Sequence, residues 1–182
     1  MKLGVRLLRS TRGSAAVEMA LVSPLLVLIL FGSVELGNYF MDQHILTKAV
    51  RDGARYAARQ NFSSYTGCNG TAANVPTPNV TGSVNENTKT LVRKGTLNST
   101  DADLLPKWTD ASTVFSVMMT CSTTAGATSM GGIYNGNNVG TPGEAPAVLV
   151  TAKLPYRPVV ASFMLAGTIF LNAQQQAAVT GI

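Results

Sequence analysis

A carboxylate stands at the edge of a stretch that otherwise suits lipid. Glu18 follows Ala15, Ala16 and Val17, and no charge appears from Met19 to Val34. An ionisable group inside a membrane segment is expensive and marks a functional site by default. Five residues upstream lies Gly13, preceded by Lys2, Arg6, Arg9 and Arg12 with no acid among them. Paired with an opposite charge, such a carboxylate enters an apolar environment at far lower cost than alone. A carboxylate at a helix start also suits the positive end of the helix dipole, which is the plainer account of the same residue.

Other residue sets offer less. His44 is the only histidine, and with Lys48 one turn away it reads as solvated or interfacial. No Ser/His/Asp set can be built around it, so the sequence gives no catalytic residues and points away from an enzyme. Cys68 and Cys121 form no C-x-x-C, and no cluster has zinc-ligand spacing, so neither a metal nor a cofactor is expected. In an oxidising compartment the two cysteines read as one structural disulfide. Closing a loop of about 50 residues stabilises a fold by about 4 kcal/mol on the chain-entropy account. The glycines of 124–132 lack a Gly-Lys-Ser/Thr ending and form no phosphate cradle.

The elements that must position these residues follow from charge and periodicity. The chain has 182 residues, 14 basic and nine acidic, but the leader accounts for most of the excess. Beyond it ten basic residues face nine acidic ones, so no nucleic-acid partner is expected. Basic residues directly before an apolar run place that end in the cytoplasm, with the remainder of the chain outside it. Extended to Glu18 and Glu35, the run reaches about 20 residues, enough to span a bilayer once. Nothing strong enough to stop a helix occurs from Gly13 to about Gln60, and Pro24 should only kink it. Lys48, Asp52, Arg55 and Arg59 make one face of its second half, and Leu46, Val50, Gly53 and Ala57 a parallel apolar or small one. Such a helix is about 70 Å long at about 1.5 Å per residue, half span and half domain spine.

Residues 61–83, rich in Asn, Gly, Ser, Thr and Pro, read as a loop, and 84–94 as a short helix stopped by Gly95. Alternation predicts strands at 113–121, 147–154 and 168–180, with a second polar loop at 122–146. The apolar stretch 159–171 is short for a span and follows Pro155 and Pro158, so it reads as an exposed or interfacial turn. The expected fold is α+β and pilin-like: a long N-terminal helix followed by a small antiparallel β-sheet packed on it. Three segments result: a basic leader over 1–13, a transmembrane and amphipathic helix over 14–60, and an extracytoplasmic α+β domain over 61–182.

A secretory signal peptide needs a small-x-small site after its apolar centre. Cleavage after Gly32 or Ser33 would leave Leu30 or Phe31 at the third position back. The basic leader, Gly13, small residues and Glu18 ahead of an apolar helix instead resemble a prepilin peptidase substrate, which keeps its helix after scission. Arg12 to Glu18, Pro24, Glu35 to Gly37 and the Gly53-Ala-Arg-Tyr-Ala-Ala58 motif together resemble the TadE-like family of tight-adherence pilus systems. Tyr156 and Pro158 after the second strand are similar to that family's Tyr-x-Pro segment. The likeness is concentrated in 12–60.

The resemblance implies a minor pilin or pseudopilin in the inner membrane or in a cell-surface pilus, acting in assembly, adhesion or secretion. Its partners would be a prepilin peptidase, other pilin subunits, the pilus assembly platform and the membrane. Scission between Gly13 and Ser14 would create an ammonium at Ser14, about one helical turn from Glu18. By pairing with the ammonium of a neighbouring subunit, Glu18 would set the stagger between subunits, with Pro24 and Glu35 as further assembly positions. Glu35 could pair with Lys48 or Arg51 of a neighbouring subunit or stay as an exposed charge. Type IV pilins usually expose an apolar, methylated residue after scission, and this chain offers Ser14. The alternative is an uncleaved single-span anchor whose external domain binds another envelope component.

Overall fold

The computed structural model describes residues 11–65, 80, 82–122, 145–159 and 167–181. Helix α1 covers Thr11–Ala58 and runs without a break through Pro24. It starts two residues before Gly13 and ends close to the expected Gln60. A 3₁₀ turn follows at Phe62–Ser64, then helix α2 at Ser83–Lys94. Strands β1 (Val114–Ser122), β2 (Ala145–Pro155) and β3 (Phe170–Ala178) form one antiparallel sheet in the order β1-β2-β3. The chain is thus α+β, a long N-terminal helix with a small three-stranded antiparallel sheet, as its periodicities predict.

Two compact units divide the chain, one of 1–40 with 158–166 and one of 41–157 with 167–182. In the second unit, α1 is amphipathic in the sense its sequence requires. Leu46, Val50, Gly53 and Ala57 are buried, while Lys48, Asp52, Arg55 and Arg59 are exposed. Val148, Val150, Ala152 and Leu154 of β2 are fully buried, with Val117 and Met119 of β1 and Leu171 of β3. The central strand is the most apolar because it has a neighbour on each side.

The edge of β3 is tied to α1 at both ends. The Gln43 amide donates to the Asn172 carbonyl at 2.6 Å and accepts the Asn172 N–H at 3.3 Å. One side chain thereby satisfies both backbone groups of an edge residue, which limits pairing with another strand. At the other end Thr180 N donates to the Ala58 carbonyl at 2.8 Å. The buried Tyr65 hydroxyl donates to the Ala57 carbonyl, satisfying another acceptor left at the end of α1. Burial, with Tyr56 nearby, pushes the Tyr65 phenol well above its ordinary range.

Helix α2 ends as expected, with Gly95 left-handed and its N–H on the Leu91 carbonyl at 2.8 Å. Its last turn holds the loop that follows. Arg93 Nε donates to Asp103 Oδ1 at 2.6 Å, Lys94 Nζ lies 3.3 Å from the same oxygen, and Leu104 N donates to the Arg93 carbonyl. The Arg93 hydrogen bond, reinforced by Lys94, holds the Asp103 carboxyl below its usual range. A group whose folded pKa is depressed stabilises the fold above the unfolded carboxylate range and loses that contribution as pH falls through the folded value. Stability should therefore start to fall as pH drops through the ordinary carboxylate range and go on falling to the lower folded value, and Asp103→Asn should flatten that limb of a pH series of denaturation midpoints.

The α1–α2 crossing depends on Gly53. A Cβ built there falls 2.3 Å from Val92 Cγ2 and 3.4 Å from Thr88 Cγ2. Val92 is fully buried and β-branched, so it yields little. Gly53→Ala gains helix propensity but overpacks the crossing, with a net loss of about 1–2 kcal/mol. Denaturation of the full chain in detergent measures this loss. Adding Val92→Ala should return part of it, giving a non-additive pair.

Candidate functional site

The first half of α1 has no apolar face, because it is apolar all round. From Val17 to Val34 nearly every large side chain is exposed, among them Leu21, Val27, Leu28 and Leu30. A soluble chain does not leave such a cylinder in water, since each of these side chains forfeits about 1.5–3 kcal/mol of burial. Among the described residues this is the one helix long and apolar enough to cross a membrane. A helix is also one of the two architectures that satisfy their own backbone in lipid. Pro24 removes one N–H from that ladder, and the Ser33 hydroxyl bonds back to the Ile29 and Leu30 carbonyls at 2.6 and 3.1 Å.

Glu18 lies exposed on this helix, four residues after Ser14 and so about one turn away, about 6 Å along the axis. The Gly13–Ser14 bond is itself helical, within α1. Gly13 is exposed, and a Cβ there would meet nothing within 4 Å. Packing accounts for the glycine at position 53 and gives no account of the one at 13.

Glu35 differs from Glu18. Only 8% of it is exposed, and its carboxylate oxygens accept the Val159 N–H at 3.2 and 3.1 Å. This bond joins positions 124 apart, so no local signal announces it; the nearest hint is the charge placed where the apolar run ends. Within the chain, Glu35 thus meets a backbone amide and is buried, not the exposed charge that was one of its two expected states. Gln43 and its hold on Asn172 were equally hidden in sequence. His44 is exposed on α1. Cys121 falls on β1, whereas Cys68 lies outside the described residues, and so does the pairing expected between them. The expected turn at 159–171 falls outside them over 160–166; Val159 and Ile169 are exposed, but its last two residues, Phe170 and Leu171, belong to β3 and Leu171 is buried in the sheet's core.

The apolar helix, the acid near its start and the spine that continues into a folded unit match one family model. Residues 13–55 match the TadE-like protein family. No curated protein and no solved structure matches the chain. The TadE-like segment starts at Gly13, runs through Glu18, Pro24 and Glu35, and ends at Arg55 beyond Gly53. The match links this segment to proteins associated with Tad pili. Together with the apolar helix it indicates a single-pass membrane protein. The match therefore covers both the apolar part of α1 and the part that packs in the second unit.

Open space around Gly13 makes a simple prediction. Gly13→Ala should leave membrane insertion and the denaturation midpoint of the detergent-solubilised chain unchanged. The same assay should separate it from Gly53→Ala, which lowers the midpoint.

Proposed function

We propose that this chain is a minor pilin or pseudopilin of a Tad pilus, acting by helix packing in pilus assembly, with adhesion or secretion as the outcome. In this reading residues 1–13 are a leader on the cytoplasmic side and 14–60 are the assembly helix. Residues 61–182 form the extracytoplasmic domain, where Cys68 and Cys121 form a disulfide. A prepilin peptidase cuts between Gly13 and Ser14. The new ammonium of one subunit neutralises Glu18 of the next, and this sets their stagger as the assembly platform adds subunits. Pro24 softens the helix ladder where neighbours pack.

The observation that carries this reading is the apolar cylinder of α1, which no other part of the chain covers over Val17–Val34 among the described residues, within a TadE-like segment beginning at Gly13. Lipid or the helices of other subunits are the two environments in which such a surface is stable. The open surroundings of Gly13 support it, since the fold does not need a glycine there. One observation favours an uncleaved single-span anchor instead: the bond to be cut is helical and must unwind before a peptidase can take it in extended form.

N-terminal sequencing of the protein from membranes and from sheared filaments separates the two. A chain beginning at Ser14 in the sheared fraction is expected, and Gly13→Leu should leave a chain beginning at Met1 confined to membranes. Glu18→Val should be cut and inserted yet be lost from filaments. An intact leader on assembled protein overturns scission, and normal incorporation of Glu18→Val overturns the stagger role.

A further inference from the structure

Glu35 occupies a position where a carboxylate needs help. Glu18 and Glu35 are 17 steps apart on one helix, about 26 Å along its axis, so the two acids bracket a span close to the hydrocarbon thickness of about 30 Å. Glu35 therefore falls at the headgroup–acyl boundary on the side away from the leader. Water is scarce there, and a carboxylate is satisfied by whatever donor the chain brings to it. The donor is the Val159 N–H, at 3.1 and 3.2 Å from the two oxygens. One turn further along α1, Tyr39 and Phe40 pack edge to face with centroids 5.9 Å apart, and aromatic rings collect at this level of a bilayer. Leu36 and Phe40 are more than half exposed, and Val159, held beside the helix by its own backbone, is 68% exposed.

These observations share a cause if the surface around Glu35 faces lipid. We infer that Glu35 is a positioning residue that fixes the backbone at Val159 beside the membrane helix, and that Val159, Leu36 and Phe40 rest in the headgroup–acyl boundary of the bilayer. The chain then meets lipid at a collar as well as along its span. The occupant is the bilayer because the patch continues the exposed apolar surface of the same helix. The one residue between Val34 and Leu36 is Glu35, which is buried, and between Leu36 and Phe40, Asn38 and Tyr39 are half-buried. An apolar surface of this kind sits about 5–10 Å into the boundary. Glu35 serves it by tying down an N–H that would otherwise draw the Val159 segment toward water. This rests on the single-span reading, and its test is arranged so that the two fail separately.

The test uses the full chain in vesicles of phosphatidylethanolamine and phosphatidylglycerol, with a fluorescent amino acid placed at Leu26, Val159 or Leu97 in turn. Quenching is compared between lipids spin-labelled near the headgroup, lipids spin-labelled deep in the acyl chain, and aqueous iodide. Leu26 should respond to the deep label, Val159 to the shallow one and Leu97 to iodide. In Glu35→Ala the Val159 reporter should move from the shallow label to iodide, while Leu26 and the denaturation midpoint stay unchanged. Glu35→Gln, which keeps one acceptor oxygen, should hold part of the shallow response. Val159 responding to iodide in the parent chain, with Leu26 still deep, overturns the collar and leaves the span. Energy transfer between Val159 reporters on two chains, without lipid quenching, assigns the patch to a second copy and also overturns it. An unchanged Val159 response in Glu35→Ala overturns the positioning role, and Leu26 responding to iodide overturns the span and the collar together.

Discussion

A single α-helix here serves two solvents, and the rest of the chain answers to that requirement. Over Val17–Val34 the helix is apolar on every side and finds no cover among the described residues. From Met41 on, the same helix turns into an amphipathic spine with Leu46, Val50, Gly53 and Ala57 buried and a charged face outward. A helix can make this change without interruption because its backbone hydrogen bonds are internal and indifferent to the medium. Only the side chains have to change.

The ends of the apolar stretch are where charge must be managed, and the two acids are managed differently. Glu18 lies exposed near the N-terminal end of the apolar stretch. Glu35 is buried against a backbone amide of the same chain, which makes it a structural fixture. The distinction follows from desolvation: a buried charge without partners costs several kcal/mol, so each acid needs an answer and the geometry limits which is available.

The folded unit is small, and its sheet of three strands leaves two edges. Its stability depends on close contacts at a few points. Gly53 lets α1 and α2 approach until a methyl group would collide with Val92. Gln43 and the Ala58 carbonyl hold the outward backbone groups of β3 at its two ends. Arg93 and Lys94 converge on Asp103 and anchor the loop after α2. Each device fixes a segment that hydrophobic burial alone would leave free to slide, since apolar contact is not directional.

The sequence by itself determined whatever depends on neighbours in the chain. The apolar run, the stripes of Lys48–Arg59 and Leu46–Ala57, the Gly95 stop and the alternation in each strand are local periodicities, and the elements appear within a few residues of where they predict. Gly13 and Glu18 were legible for the same reason, as spacing along one segment. Tertiary structure alone decided that Glu35 meets Val159, 124 positions away, that Gln43 meets Asn172, and that Gly53 is a glycine because of Val92. Those pairings are set by how elements pack, and a sequence records packing only as a face to be buried, without naming the residue that will cover it.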